Sequence, residues 1–141
     1  MTHSLSRTDI AFVTSVEECS FPVEDFNHRA HVRLAYAYFV DNDTESSNNL
    51  VRKALVGLLQ FNDIAPSAKY HETLTKAWLL AVNHFMHHTD TCDNADMFID
   101  LNPQLLDSRI MMTHYTKARL FSEEARHTFI APDLDAIPEY A

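Results

Sequence analysis

The sequence predicts an all-α fold: one domain over residues 1–141, a compact bundle of about four main helices with short helices and an extended C-terminal tail. Three observations predict it. Glycine occurs once and proline five times, too few for the positive-φ turns that a strand-and-hairpin fold needs. Apolar residues recur at three- and four-residue spacing through most of the chain, the period of an amphipathic helix. The stretches between are polar and rich in residues that cap helices. A hydrophobic content of 46%, with nine Phe and five Tyr, supplies the core, which a chain of this length can bury without crosslinks.

Each element follows in order. Residues 8–18 carry Ile10, Val13 and Val16 behind Thr8 and Asp9, a short amphipathic helix that ends before Pro22. From Asp25 to Val40 the stretch "DFNHRAHVRLAYAYFV" is apolar or aromatic at Phe26, Ala30, Leu34 and Tyr38, and predicts a mostly buried helix. "DNDTESSNN", residues 41–49, reads as a polar linker whose Ser or Asn caps the next helix. Residues 50–61 place Leu50, Val51, Ala54, Leu55, Leu58 and Leu59 on one stripe, with Gly57 off it as the mark of a close contact. Ser67 is positioned to cap a long helix over 68–88, with Lys69, Lys76 and Asn83 as a thin polar edge. "TDTCDNAD" is a loop, and residues 95–107 predict short helical turns around Pro103. "DSRIMMTHYTKARLF" predicts a helix carrying Ile110, Met111, His114, Tyr115, Ala118 and Phe121, and Ser122 caps the turn after it. "APDLDAIPEY" predicts an extended tail lying over the body.

The formal charge of −9 repels a phosphate backbone, so no nucleic-acid partner is expected. Protonating all nine histidines would cancel that charge, so mild acid should change solubility or association. Cys19 and Cys92 lie far apart without a CxxC neighbour and are expected as free thiols of a reducing cytosol. "MTHSLSRTDIAFV" is no signal peptide, and no apolar run is long enough for a bilayer. An acidic cytoplasmic protein without membrane contact is the expectation. GxSxG, P-loop and GxGxxG patterns are missing, and a single glycine excludes phosphate-cradling loops of that type.

Histidine is the conspicuous chemistry. His28 and His31, spaced i and i+3, emerge from one helix face among apolar neighbours, with Glu24 one turn before. Two surface imidazoles are the plain alternative. "KYHETLT" places Tyr70, His71 and Glu72 together at the start of an otherwise apolar helix. His71 is either a ligand or a cap; Glu72 is either a base or second-sphere carboxylate, or a first-turn acid that complements the helix dipole. His114, beside Tyr115, is either a ligand or a buried ring satisfied by a carbonyl. His84, His87 and His88 end the long helix and are assigned to the surface; His3 falls in a frayed terminus and His127 in an exposed turn. Imidazoles on three segments suit a divalent transition metal (Fe, Cu or Zn) with an open coordination position. Metal-free pocket and unrelated histidines remain alternatives. Arg33 is placed to bind a substrate carboxylate or to neutralise Glu72.

"FNHRAHVRLAY", "KYHETLTKAW" and "HYTKARLFSEEAR…PDLDAIP" resemble a family of small bacterial proteins of unknown function. Its pattern is F-x-H-x-x-H-x-R-L-A, then Y-H-E-T-x-T-x-x-W, then H-Y-S/T before P-D-L-x-x-x-P. The matching positions run from Phe26, His28, His31 and Arg33 through Tyr70 to Trp78, and on to His114, Tyr115 and Pro138. The resemblance implies that the three histidine groups belong together; it implies no activity.

These readings yield one leading expectation and two alternatives. The first is a metal-dependent enzyme acting on a small molecule, oxidation being favoured over hydrolysis. His28, His31, His71 and His114 hold the metal; Glu72 acts as base, and Tyr70, Tyr115 and Arg33 position the substrate. The second is a non-enzymatic binding protein whose same polar groups line a pocket for a small ligand. The third, an interaction module, rests on the aromatics, and a homodimer is the assembly it allows.

Overall fold

The computed structural model describes residues 3–139. Helix α1 (Arg7–Glu17) opens on a reciprocal capping box: Ser6 Oγ accepts the Asp9 N–H while the Asp9 carboxylate accepts the Ser6 N–H. After a 3₁₀ turn at Val23–Asp25, Asn27 caps α2 (His28–Asp41) by accepting the Ala30 N–H. Asp43 caps α3 (Thr44–Phe61) through the Ser46 N–H. The polar run 44–49 is therefore helix rather than linker. An aspartate cap and Glu45 in the first turn favour helix strongly enough to outweigh weak propensity.

The long helix expected over 68–88 is broken. Pro66–Lys69 forms a single turn, α4; Tyr70 and His71 are extended, and α5 (Glu72–His87) starts afresh. Its cap is His71, not Ser67, because His71 Nδ1 accepts the Leu74 N–H at 3.0 Å. Asn94 caps α6 (Ala95–Leu101), and 3₁₀ turns follow at Pro103–Leu106 and Ser108–Thr113. The helix expected across 108–121 is likewise interrupted, and only α7 (Lys117–Leu120) is α-helical there. The carbonyls of Thr113 and His114 accept N–H groups of Asp135 and Leu134, so the C-terminal tail takes the place of the next helical turn. Ser122 caps α8 (Glu123–His127), as expected.

Helices α2, α3 and α5 pack on one another, α1 crosses α2 and α3, α6 lies on α2, and α8 on α5. Helix α5 is the centre: Ala77 through Val82 are buried without a break, so it is apolar on all sides. The tail runs extended over this body with Ile130 and Ile137 in the core. Among the described residues there is no strand, and no helix is long and apolar enough to cross a membrane.

Two local expectations are corrected. A Cβ built on Gly57 meets nothing within 4 Å, so no close contact explains that glycine. His3 is not frayed: its Nε2–H donates to the Met86 carbonyl at 2.8 Å and its Nδ1 accepts the Cys92 N–H at 3.1 Å. Cys19 and Cys92 are both unbridged.

Candidate functional site

The cluster in "KYHETLT" joins α5 to three other segments. Neutral His71 caps α5 with Nδ1 and donates Nε2–H to the Leu120 carbonyl of α7 at 2.9 Å, so both ring nitrogens are committed. Burial, the largest influence, holds its pKa below the ordinary imidazole value, although the Leu120 bond works the other way. Glu72 takes two bonds from the Arg52 guanidinium of α3 and one from the Tyr70 hydroxyl at 2.7 Å. Burial alone would raise the carboxyl; the Arg52 and Tyr70 bonds outweigh it and keep Glu72 ionised. Burial first, and then Glu72, raises the Tyr70 phenol, which stays protonated as the donor. Thr73 Oγ1 donates to the Thr128 carbonyl and accepts the Ile130 N–H, clamping the tail. Polar side chains persist at this helix start because each satisfies a partner from a different part of the chain.

Beside this hub lies a cleft of about 600 Å³ between the start of α2, the second half of α3 and the first half of α5. Its walls are apolar, from Val23, Phe26, Leu55, Leu59, Leu74 and Trp78, and its polar lining includes His28, His31, Tyr70 and His71. Glu24, singled out as a neighbour of the histidine pair, and Lys69 are the charged liners, and both are exposed.

The four imidazoles have different fates. The His28 ring sits 4.3 Å from Trp78, centroid to centroid, and its Nε2–H donates to the Leu105 carbonyl at 2.8 Å. His31 is 6.5 Å from His28 by ring centroids, and its Nε2 is out of solvent with no hydrogen-bond partner. Burial chiefly, and His28 secondarily, drives the His31 pKa down from 6.5 to about 4, so the ring is neutral at pH 7. His114 does not line the cleft; its Nδ1–H donates to the Asp135 carbonyl at 2.7 Å, fastening the tail.

Tyr115 and Arg33 also work elsewhere. Tyr115 is fully buried and donates to the Ile130 carbonyl at 2.7 Å, with burial pushing its phenol up to about 12. Arg33 pairs with Asp9, not Glu72, at 3.1 Å and lies 4.5 Å above the Phe12 ring. Asp9, itself buried, also accepts the Ala95 N–H, joining α1 to α2 and α6.

An Fe, Cu or Zn centre needs three or four ligand atoms at one point. His71 has no spare nitrogen, Glu72 is held by Arg52, and His114 is tied to the tail. Among the described residues no three His, Cys, Asp or Glu side chains are grouped to hold an ion. These residues do not fit the metal centre expected from the sequence. Spacing could not have shown this, because a helical HxxH pair looks the same whether its nitrogens are free or committed. Nor did the sequence mark Arg52 as the partner of Glu72, or Trp78, Leu55 and Leu59 as cleft walls; their periodicity signals core alone. Compared with protein-family models, curated proteins and solved structures, the chain matches none of them.

Proposed function

We propose that this chain is a small-molecule-binding protein and that the cleft between α2, α3 and α5 is its site. One observation carries this: an apolar-walled cavity of about 600 Å³ has in its lining a neutral histidine with a buried, unpartnered Nε2. Ligand sites are commonly cavities of about 300–1,000 Å³, mostly apolar, with a few polar groups that fix orientation. Binding is favoured over metal catalysis because the residues expected as ligands and base are engaged in structural hydrogen bonds. Nor does the cleft present a nucleophile–base pair: the Glu72 carboxylate is enclosed by Arg52 and Tyr70.

The chain's only tryptophan, Trp78, is a cleft wall, so binding has an intrinsic reporter. The neutral fluorophore N-phenyl-1-naphthylamine should brighten on mixing, with energy transfer from Trp78. Leu59→Arg, which places a long charged side chain across the cleft, should abolish both signals while leaving the far-UV circular dichroism unchanged. A Leu59→Arg protein that binds the probe as the parent does would remove the cleft from consideration.

A further inference from the structure

Resting on that small-molecule site, we propose that its ligand is an apolar monocarboxylate such as a fatty acid. The hydrocarbon body lies along the apolar walls, and the carboxylate stays at the opening, where it meets the Lys69 ammonium.

Hydrogen-bond inventory places the polar end of such a ligand. The His28 Nε2–H is donated to Leu105, both His71 nitrogens are committed, the Tyr70 hydroxyl is donated to Glu72, and His31 Nε2 is out of solvent. A charged head group drawn inward would lose its hydration without reaching any of these atoms, so it belongs at the opening. Lys69 stands there: it lines the cleft and is exposed. Among the described residues Lys69 enters no ion pair, which leaves its charge available to a ligand. The turn that carries it is held in place. Arg126 donates to the Ser67 and Ala68 carbonyls at 3.0 and 2.7 Å, and the Tyr70 N–H closes on the Pro66 carbonyl at 2.7 Å.

Charge around the opening favours an acid over an amine. Asn27 and His71, the caps of α2 and α5, are both liners, so helices of 14 and 16 residues turn their positive ends to the cleft. Helix α2 has no acid in its first turn, and Glu72 of α5 is gripped by Arg52. Arg126 adds its field: burial first, and the charge of Arg126 after it, lower the His71 pKa. Against these stands one carboxylate of the lining, Glu24, on the 3₁₀ turn that leads into α2, and it makes no pair with Lys69. An amine would have Glu24 for a partner but would meet Lys69 and both helix ends as like charge. The overall charge of −9 acts from farther away and is screened over about 10 Å in ~0.1 M salt, so the groups at the opening decide.

Decanoate, decan-1-ol and decylammonium share one chain and differ in the head group that would meet Lys69. Each is titrated at pH 7, below its micelle concentration, against the parent protein loaded with N-phenyl-1-naphthylamine. Decanoate should displace the probe at a lower concentration than decylammonium. Lys69→Gln should weaken decanoate about threefold to fivefold and leave decan-1-ol unchanged, the loss expected for one exposed ion pair. Lys69→Glu should weaken decanoate by about tenfold and bring decylammonium ahead of it. The Lys69 side chain is exposed, so both variants should keep the parent's far-UV circular dichroism. Decylammonium ahead of decanoate in the parent would overturn the acid, and a Lys69→Gln protein that treats decanoate and decan-1-ol alike would overturn the anchor; either result leaves the cleft as a binding site. Failure of the probe itself to bind the parent would overturn the site and this inference together.

Discussion

Acidification should cost this protein about 3 kcal/mol through His31 alone. Its ring is held from an ordinary pKa of 6.5 down to about 4, chiefly by burial and then by His28. The unfolded chain takes up that proton near 6.5, whereas the folded chain refuses it until about 4. Between those values the unfolded state binds more protons, so stability falls as pH falls. The contribution is complete above 6.5, is lost progressively below it, and levels off under about 4. Each pH unit in that window is worth about 1.4 kcal/mol, which gives the total. Urea denaturation followed by circular dichroism at about pH 7 and about pH 4.5, on the parent and His31→Gln, isolates the effect. The variant does not titrate at this position, so its loss over the interval should be smaller by about 2–3 kcal/mol. His71 and His84, whose pKa values are also lowered, contribute equally to both proteins and cancel. Imidazole proton NMR should show His31 still unprotonated midway between pH 6.5 and about 4. An ordinary His31 midpoint near 6.5, or identical acid losses in the two proteins, would refute the account of its burial.

Four further substitutions, at three positions, probe the helices that build the fold around the cleft. Gly57→Ala should stabilise by about 0.5–1 kcal/mol, because a helix-interior glycine carries excess unfolded-state entropy and the added methyl meets open space. A thermal melt should rise by about 2–3 °C, and a fall would mean that the backbone is not helical there. Glu72→Gln should cost about 2 kcal/mol, since Arg52 and Tyr70 lose a charged acceptor at a largely buried site. A loss below about 0.5 kcal/mol would class the pair with ordinary surface ion pairs. His71→Ala should cost about 2 kcal/mol and His71→Asn about 1, because asparagine restores the α5 cap but cannot replace the bond to Leu120; equal costs in chemical denaturation would deny the second tie.

The fold class was legible because it rests on periodicity, which sequence records directly. The helix start at Ser122, and the buried faces of α3 and α5, follow from capping chemistry and apolar spacing, whereas the first helix, expected to start at Thr8 and Asp9, begins at Arg7 on a Ser6 cap. Breaks within elements were not legible, since their causes are distant. The interruption before His114 depends on N–H groups of Leu134 and Asp135, and the restart at Glu72 on the Leu120 carbonyl that holds His71 in its capping position. Glycine scarcity pointed correctly to helices, yet the chain leaves α1 and α3 through positive-φ residues that are not glycine, Cys19 at φ 61° and Asp63 at φ 57°. The grouping of His28, His31 and His71 on one cleft could be anticipated from their apolar surroundings, while the state of each ring nitrogen could not.

That distinction decides how the histidines are to be understood. A polar side chain in an apolar segment must find a partner or carry an unmet hydrogen bond, and most find one within the fold. His3, His28, His71 and His114 each reach a backbone carbonyl from a distant part of the chain, which makes them fasteners between elements. Removing one of those rings should loosen a junction before it alters any chemistry. His31 lies on the same helix face as His28 and lines the same open cleft, yet its Nε2 has no such carbonyl. If stability alone shaped that position, an apolar side chain of similar volume would avoid both the unmatched nitrogen and the loss of stability in acid. His31→Leu should therefore raise the stability of the protein at pH 7 in urea denaturation, and a fall would show that the ring nitrogen is not the burden its missing partner implies.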